Sequence, residues 1–447
     1  MTIKLAFIGA GSTIFMKNIV GDMLHFDALK DARVSLMDID PGRLSDSELV
    51  ARKMIDTKGA GMQVEATTDR SRALDGADFV VTAFQIGGYR PSTVIDFDIP
   101  NAYGLRQTIA DTLGIGGIMR GLRTVPHLWA VAEDMARLCP NATLLQYVNP
   151  MAINCWSLAE RFKHIKAVGL CHSVQNTVEE IANDLDVPIA ELRHRVAGIN
   201  HVAFFLDLEH NGRSLYPQLV EGYASGRLPK PPLYHARCPN KLRYEAMTHL
   251  GFFCTESSEH LAEYVPWFIK DGRDDLIAEF GIPLDEYPKR CVEQAEGWAI
   301  QAQNLRVASE IHVEKSHEFA ADLMNSIITN TPTTITANLP NKGQMPQLPL
   351  GAVVETPTLV DGNGLQPSVV DDVPPQLVAL MRTQINVQEL TVRALLDENR
   401  DHIYHAAYMD PHTAAELDLR QIRALVDDLI EAHGSMLPAW CHTRKAA

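Results

Sequence analysis

Short apolar runs alternate with segments of helical period over residues 1–195. "KLAFIGAG" (4–11) is an unbroken apolar run closed by glycines and predicts a buried strand. "IFMKNIVGDMLHF" (14–26) predicts a helix, "ARVSLMDID" (32–40) a second strand and "ELVARKMIDTKGA" (48–60) a second helix. "ADFVVTAFQIGG" (77–88), "ATLLQYVNP" (142–150) and "KAVGLCHS" (166–173) predict three further strands, and "TVPHLWAVAEDMARLCP" (124–140) a helix closed by proline. Strands that alternate with helices and are apolar along their length predict a parallel, doubly wound sheet covered on both faces.

The rhythm changes near residue 195. "AGINHVAFFLDLEHNGRSLYP" (197–217) reads as a strand, a hairpin turn and a loop, and proline-rich loops are expected at 228–233 and 338–350. Long helical segments are expected over roughly 285–330 and 376–434. The expected division is an α/β, Rossmann-like domain over 1–195 and a mixed α+β domain over 196–447.

A chain of 447 residues is long for one domain, and 46% hydrophobic with 21% charged residues describes a globular protein. The net charge of −16, without a run of like charge, argues against nucleic acid or an anionic membrane as partner. Seven widely spaced cysteines with no CxxC describe a reduced, cytoplasmic protein rather than a disulfide framework. The apolar start is too short for a signal peptide, and no stretch approaches a membrane span.

Candidate chemistry begins at "FIGAGS". Gly9 and Gly11, with Ser12, sit between the first strand and the first helix, where a side chain would block a pyrophosphate from backbone N–H groups. The third glycine of GxGxxG is replaced by Ile14, so the motif alone equally describes an ordinary turn. Asp38, at the end of the second strand, suits the ribose hydroxyls of NAD and would repel a 2′-phosphate. Gln85 in "AFQIGG" ends another strand on the same edge. Cys171 lies there too, and Asn200 and His201 open the apolar strand of "GINHVAFF". Thiolate and imidazole suit a first-row transition metal and leave positions open, although both residue types are also common in cores. Asp111 in "QTIADTLGIGG" is a cap or a catalytic acid. His260 and Tyr264 share a face if "TESSEHLAEYVPWF" is helical, while Glu256, Glu259 and Glu263 read mostly as solvated. Arg290 is an anion clamp or a surface ion pair.

Taken together, "IGAGSTIF", "MDIDPGRL", "AFQIGGYRPSTVIDFDIP", "QTIADTLGIGGIMRGLRTVPHLW", "YVNPMAINCW", "GLCHSVQ", "GINHVAFF" and "TESSEHLAEYVPWF" resemble the family 4 glycoside hydrolases over nearly the whole chain. Within that family the chain is most similar to the α-galactosidases. The resemblance implies a lactate/malate dehydrogenase-like fold, bound NAD, a divalent metal such as Mn²⁺, a small sugar substrate and a homodimer or homotetramer. It assigns Cys171 and His201 to the metal, and His172 to protonation of the leaving group. Tyr264 becomes the base, with Asp111 raising its basicity, and Asn149 and Arg290 contact the sugar. The implied chemistry oxidises C3, which acidifies C2. Elimination, addition of water and return of the hydride follow, outside the usual two-carboxylate scheme.

One position departs from the 6-phosphoglycosidases of the family, which carry an arginine three residues before the Asp of "DExIP". Here the motif reads "DFDIP" and the place holds Thr93, which favours an unphosphorylated sugar, galactoside or galacturonide. Two rivals remain at the level of sequence. One is an NAD-dependent 2-hydroxy acid or sugar dehydrogenase using Arg120, Arg123 and His201. The other is an NAD-binding sensor without catalysis.

Overall fold

The computed structural model describes residues 2–233 and 238–443. Strands β1 (Lys4–Ile8), β2 (Arg33–Met37), β3 (Gln63–Thr67), β4 (Phe79–Thr82), β5 (Thr143–Gln146) and β6 (Lys166–Gly169) form a parallel sheet in the order β3-β2-β1-β4-β5-β6. This is the doubly wound order of dinucleotide-binding folds, with a switch point between β1 and β4. Strand β3 lay outside the apolar pattern. "QVEAT" buries only Val64 fully, because an edge strand has one covered neighbour and needs no continuous apolar run.

The sheet does not stop at β6. Antiparallel strands β7 (Leu192–Ile199), β8 (Val202–His210), β9 (Arg213–Ser214), β10 (Thr333–Pro340) and β11 (Val353–Asp361) continue it in the order β10-β11-β7-β8-β9, and β12 (Gly364–Pro367) pairs with β11. The pairs Ile8↔Thr82, Thr82↔Gln146, Gln146↔Gly169, Gly169↔Asn338, Asn338↔Glu355 and Glu355↔Gly198 form one row across seven strands. Every loop that carries candidate chemistry after β1, β4, β5, β6 and β7 leaves the sheet beyond that row.

Several expected elements are corrected. Asn200 and His201 do not open a strand. They form the two-residue turn of the β7–β8 hairpin, closed by the pair Ile199↔Val202. The segment 285–330 is not one long helix. Helices Glu286–Val307 and Ala320–Thr329 flank an irregular stretch that crosses toward the parallel half, where Asp22 accepts from Ser316 N at 2.6 Å. The C-terminal helical region divides into Pro375–Leu396, Asp401–Met409, Pro411–Glu416 and Leu419–His433. Residues 338–340 of the expected proline-rich loop belong to β10.

The helix Gly114–Leu138 is longer than the pattern indicates. It begins inside the glycine-rich stretch and lies against the core through Ile118, Leu122, Val125 and Leu128. Arg123 on this helix is fully buried and pairs with Asp96, which also accepts from His433 Nε2 at 2.9 Å. The C-terminal helix Leu419–His433 is thereby fastened to the "DFDIP" segment. No helix among the described residues is long and apolar enough to cross a membrane.

Candidate active site

The turn after β1 is shaped by two close approaches. Gly9 has φ +96°, and a Cβ there would lie 2.2 Å from the Ala83 carbonyl oxygen at the end of β4. A Cβ on Gly11 would lie 2.7 Å from Asp38 Oδ2, which accepts a hydrogen bond from Gly11 N at 2.7 Å. Asp38 is therefore fixed against the turn, and its other oxygen accepts from Asp40 N at 2.9 Å. Ser12 begins the helix Thr13–Met23 without a side-chain cap, so the first N–H groups remain for an anion. Gln85 lies beyond β4, where it receives Tyr287 Oη at 3.2 Å and donates to Thr93 Oγ1 at 3.0 Å.

Farther along the same edge, Cys171 and His172 follow β6. Cys171 Sγ lies 3.8 Å from His201 Nε2, across 30 residues of chain. His201 has φ +68°, the left-handed conformation that lets a two-residue hairpin turn close. The helix Ser258–Tyr264, buried along its whole length, supplies His260, Glu263 and Tyr264. Glu256, just before it, brings Oε2 to 3.2 Å from His201 Nε2. The donor atoms of Cys171, His201 and Glu256 all lie within 4.8 Å of one another. On the other side of the imidazole, His201 Nδ1 meets the Tyr264 hydroxyl at 2.9 Å.

Asp111 comes from the loop before the helix Gly114–Leu138. Glu263 holds that loop by accepting from the backbone N–H groups of Thr108 (2.8 Å), Ile109 (3.2 Å) and Ala110 (2.8 Å). Asp111 itself accepts from Thr112 Oγ1 at 2.7 Å and Asn149 Nδ2 at 3.3 Å, with His260 Nε2 and Arg120 each 3.8 Å away. His172 is half-exposed, with Nδ1 3.5 Å from the buried carboxylate of Glu318.

Burial and mutual charge set the protonation states. Burial pushes the Cys171 thiol up to about 12, with Glu256 and Glu355 adding to the effect. Burial also lowers His201 to about 4 despite Glu256. For Glu256 the burial penalty is outweighed by His201 and His260, and its pKa falls to about 2. For His260 burial is outweighed by Glu256 and Asp111, and its pKa rises to about 9. Asp111 is held below the carboxylate range because His260 and Arg120 overcome its burial. Tyr264 is pushed well above 10 by burial, then by Glu263, Asp111 and Glu256.

Cys171, His201, Tyr264, Asp111, Asn149 and His172 thus gather in one cluster, linked through His260 and Glu256. Arg290 is instead turned to two carboxylates, Glu259 at 2.6 Å and Glu286 at 3.1 Å. The acidic residues before and within the helix Ser258–Tyr264 are not solvated as the sequence reading had it. Glu259 and Glu263 are buried, and Glu256 joins the cysteine and histidine. Glu256 precedes the N-cap Ser257 and reaches His260 Nδ1 at 3.6 Å across a non-helical bend, so helical spacing gives no signal for it. Glu318 carries no sequence signal, since nothing near it in the chain belongs to the cluster.

The profile described as "Family 4 glycosyl hydrolase" matches residues 4–187, and that of the "Family 4 glycosyl hydrolase C-terminal domain" matches residues 196–413. An alpha-galactosidase of Bacillus subtilis (strain 168) is 43% identical over 437 residues, covering 98% of this chain and 99% of that protein. Among solved structures, lplD of Bacillus subtilis superposes with a TM-score of 0.86 at 25% identity, covering 96% of this chain and 99% of that one. A 6-phospho-alpha-glucosidase from gut microorganisms, in complex with NAD and Mn²⁺, superposes with a TM-score of 0.80 at 20% identity, covering 98% of this chain and 99% of that one. Matches to both halves of the family and an end-to-end relative at that identity leave one assignment: the chain belongs to the family 4 glycosyl hydrolases.

Proposed function

We propose that the chain is an α-galactosidase that cleaves terminal α-D-galactosides such as melibiose by NAD- and Mn²⁺-dependent oxidation, elimination, addition and reduction. The observation that carries the reading is the convergence of Cys171, His201 and Glu256 on one point with Tyr264 hydrogen-bonded to the same histidine. The end-to-end likeness to an alpha-galactosidase supports the substrate.

The residues suit both groups. The side-chain-free turn at Gly9 and Gly11, the uncapped helix start at Ser12 and the fixed carboxylate of Asp38 would hold NAD. Cys171, His201 and Glu256 offer sulfur, nitrogen and oxygen to a divalent transition metal, and a cation there would favour ionisation of a thiol that desolvation and nearby carboxylates hold protonated. NAD supplies reversible hydride transfer at C3, and the metal supplies Lewis acidity beside it.

Tyr264 removes the C2 proton. With His201 Nε2 turned to the metal ligands, Nδ1 carries the ring proton and donates to the Tyr264 oxygen, which favours phenolate. The negative charge of Asp111 acts in the other direction and keeps that phenolate a strong base. Asn149, steadied by Asp111, faces the sugar hydroxyls. His172 gives a proton to the departing C1 oxygen from Nε2, because its Nδ1 is turned to Glu318. Arg290 acts on the sugar through Glu259 and the helix it braces.

The test is release of 4-nitrophenol from 4-nitrophenyl α-D-galactoside in reducing buffer, with NAD and Mn²⁺ present and each omitted in turn. The expected result is turnover that needs both and accumulates no NADH. Activity on an α-galacturonide alone would keep the chemistry and change the substrate. Steady NADH formation without glycoside cleavage would overturn the proposal.

A further inference from the structure

Next to the cluster, two side chains meet across the middle strands of the sheet. Asn338 on β10 pairs in register with Gly169 of β6, and Glu355 on β11 pairs with Gly198 of β7. The loop bearing Cys171 leaves β6 just past Gly169, and the turn bearing His201 leaves β7 just past Gly198. Gly169 has no room for a side chain, since a Cβ there would lie 2.9 Å from the Asn338 Cβ. Asn338 and Glu355 are both fully buried. Asn338 Nδ2 donates to Glu355 Oε1 at 3.2 Å, while Glu355 Oε2 has no hydrogen-bond partner.

A buried carboxyl with a free oxygen and no cation among its recorded neighbours is costly unless a charge is placed beside it. The register places Glu355 next to the ends of β6 and β7, from which the Cys171 loop and the His201 turn leave the sheet. Burial, opposed by the Asn338 hydrogen bond and reinforced by Glu256, pushes the Glu355 carboxyl up to about 7.

We propose that Glu355, held by Asn338, is a positioning residue of the divalent-metal centre, a buried carboxyl beneath the Cys171 and His201 loops that completes the counter-charge for the cation. The inference rests on the metal reading above and adds a residue to it. Glu355 touches neither sugar nor NAD in this account. It acts through the cation, and together with Asn338 through the two strands whose ends carry the loops.

The experiment is titration of the reduced, NAD-loaded protein with Mn²⁺, following free Mn²⁺ by electron paramagnetic resonance. Glu355→Gln keeps the shape and can still accept from Asn338. It is expected to weaken Mn²⁺ binding by about 10- to 100-fold, with NAD affinity and the melting transition unchanged. If Glu355→Gln fails to fold, Asn338→Ser, which leaves the carboxyl in place, is expected to weaken Mn²⁺ binding by about tenfold. Mn²⁺ affinity equal to that of the parent protein in the folded variant would overturn the proposal. Cys171→Ser separates the two levels. If it weakens Mn²⁺ binding and the Glu355 variant does not, only this inference fails. If it leaves binding intact, the metal reading fails and this inference falls with it.

Discussion

Tyr264 and His201 illustrate what burial does to ordinary side chains. An exposed phenol near pH 7 is a poor base, and the buried Tyr264 is poorer still, with its pKa driven upward by burial and three carboxylates. Its oxygen meets His201 Nδ1 at 2.9 Å, the contact through which a metal on the far side of the imidazole would act on it. Tyr264→Phe should therefore lower kcat on a galactoside by about 10² or more while Mn²⁺ and NAD bind as before, measured by steady-state kinetics beside binding titrations. His260 gives a pH prediction. Its pKa in the folded protein is raised from 6.5 to about 9, so the stability it contributes is fully present below 6.5 and is lost as pH rises through about 9. The melting temperature of metal-free protein should fall across that window, and His260→Gln should flatten this part of the profile. At this scale the residue types alone leave Cys171 and His201 equally readable as core, and it is the family resemblance that names them with Tyr264 and Asp111; the structure brings these side chains near one another. Glu256 reads as solvated from sequence, because nothing in its neighbours announces that the helix after it is buried on every side.

The elements show why position in the chain says little about position in the site. Asp111 is held by Glu263, 153 residues beyond the backbone N–H of Ala110 that it receives. Glu263→Ala strips three buried N–H groups of their acceptor. It should cost roughly 2–4 kcal/mol in a denaturant titration and lower kcat by loosening Asp111. Gly9→Ala forces a methyl group against the Ala83 carbonyl at positive φ and should abolish tight NAD binding, read by fluorescence titration. The parallel strands were readable because both faces are covered and their sequences are apolar throughout. Strands β10 and β11 were not, since "TTITANLP" and "VVETPTLVD" mix polar residues into buried positions. Asn338, Glu355, Thr356 and Thr358 are all buried there, a pattern that periodicity reads as surface.

Across the whole molecule, one row of the sheet runs beneath the glycine turn, the Cys171 loop and the His201 turn. The glycine turn leaves β1 at one end of the row and His201 leaves β7 at the other. The parallel half carries the glycine turn, and the antiparallel extension carries the hairpin that brings His201 to Cys171. The alternation of strand and helix made the first half of this arrangement legible. The continuity of the sheet through Asn338 and Glu355 was not, because it depends on pairing between strands more than 150 residues apart in sequence, for which a single chain carries no local sign. The account makes one claim that no direct hydrolysis shares: the C2 hydrogen of the sugar leaves and is replaced during each turnover. The measurement is hydrolysis of an α-galactoside in D₂O with NAD and Mn²⁺, followed by proton NMR of the galactose formed. The account predicts deuterium at C2 of the product and none in unreacted substrate kept without enzyme. Product that retains its original hydrogen at C2 would contradict it.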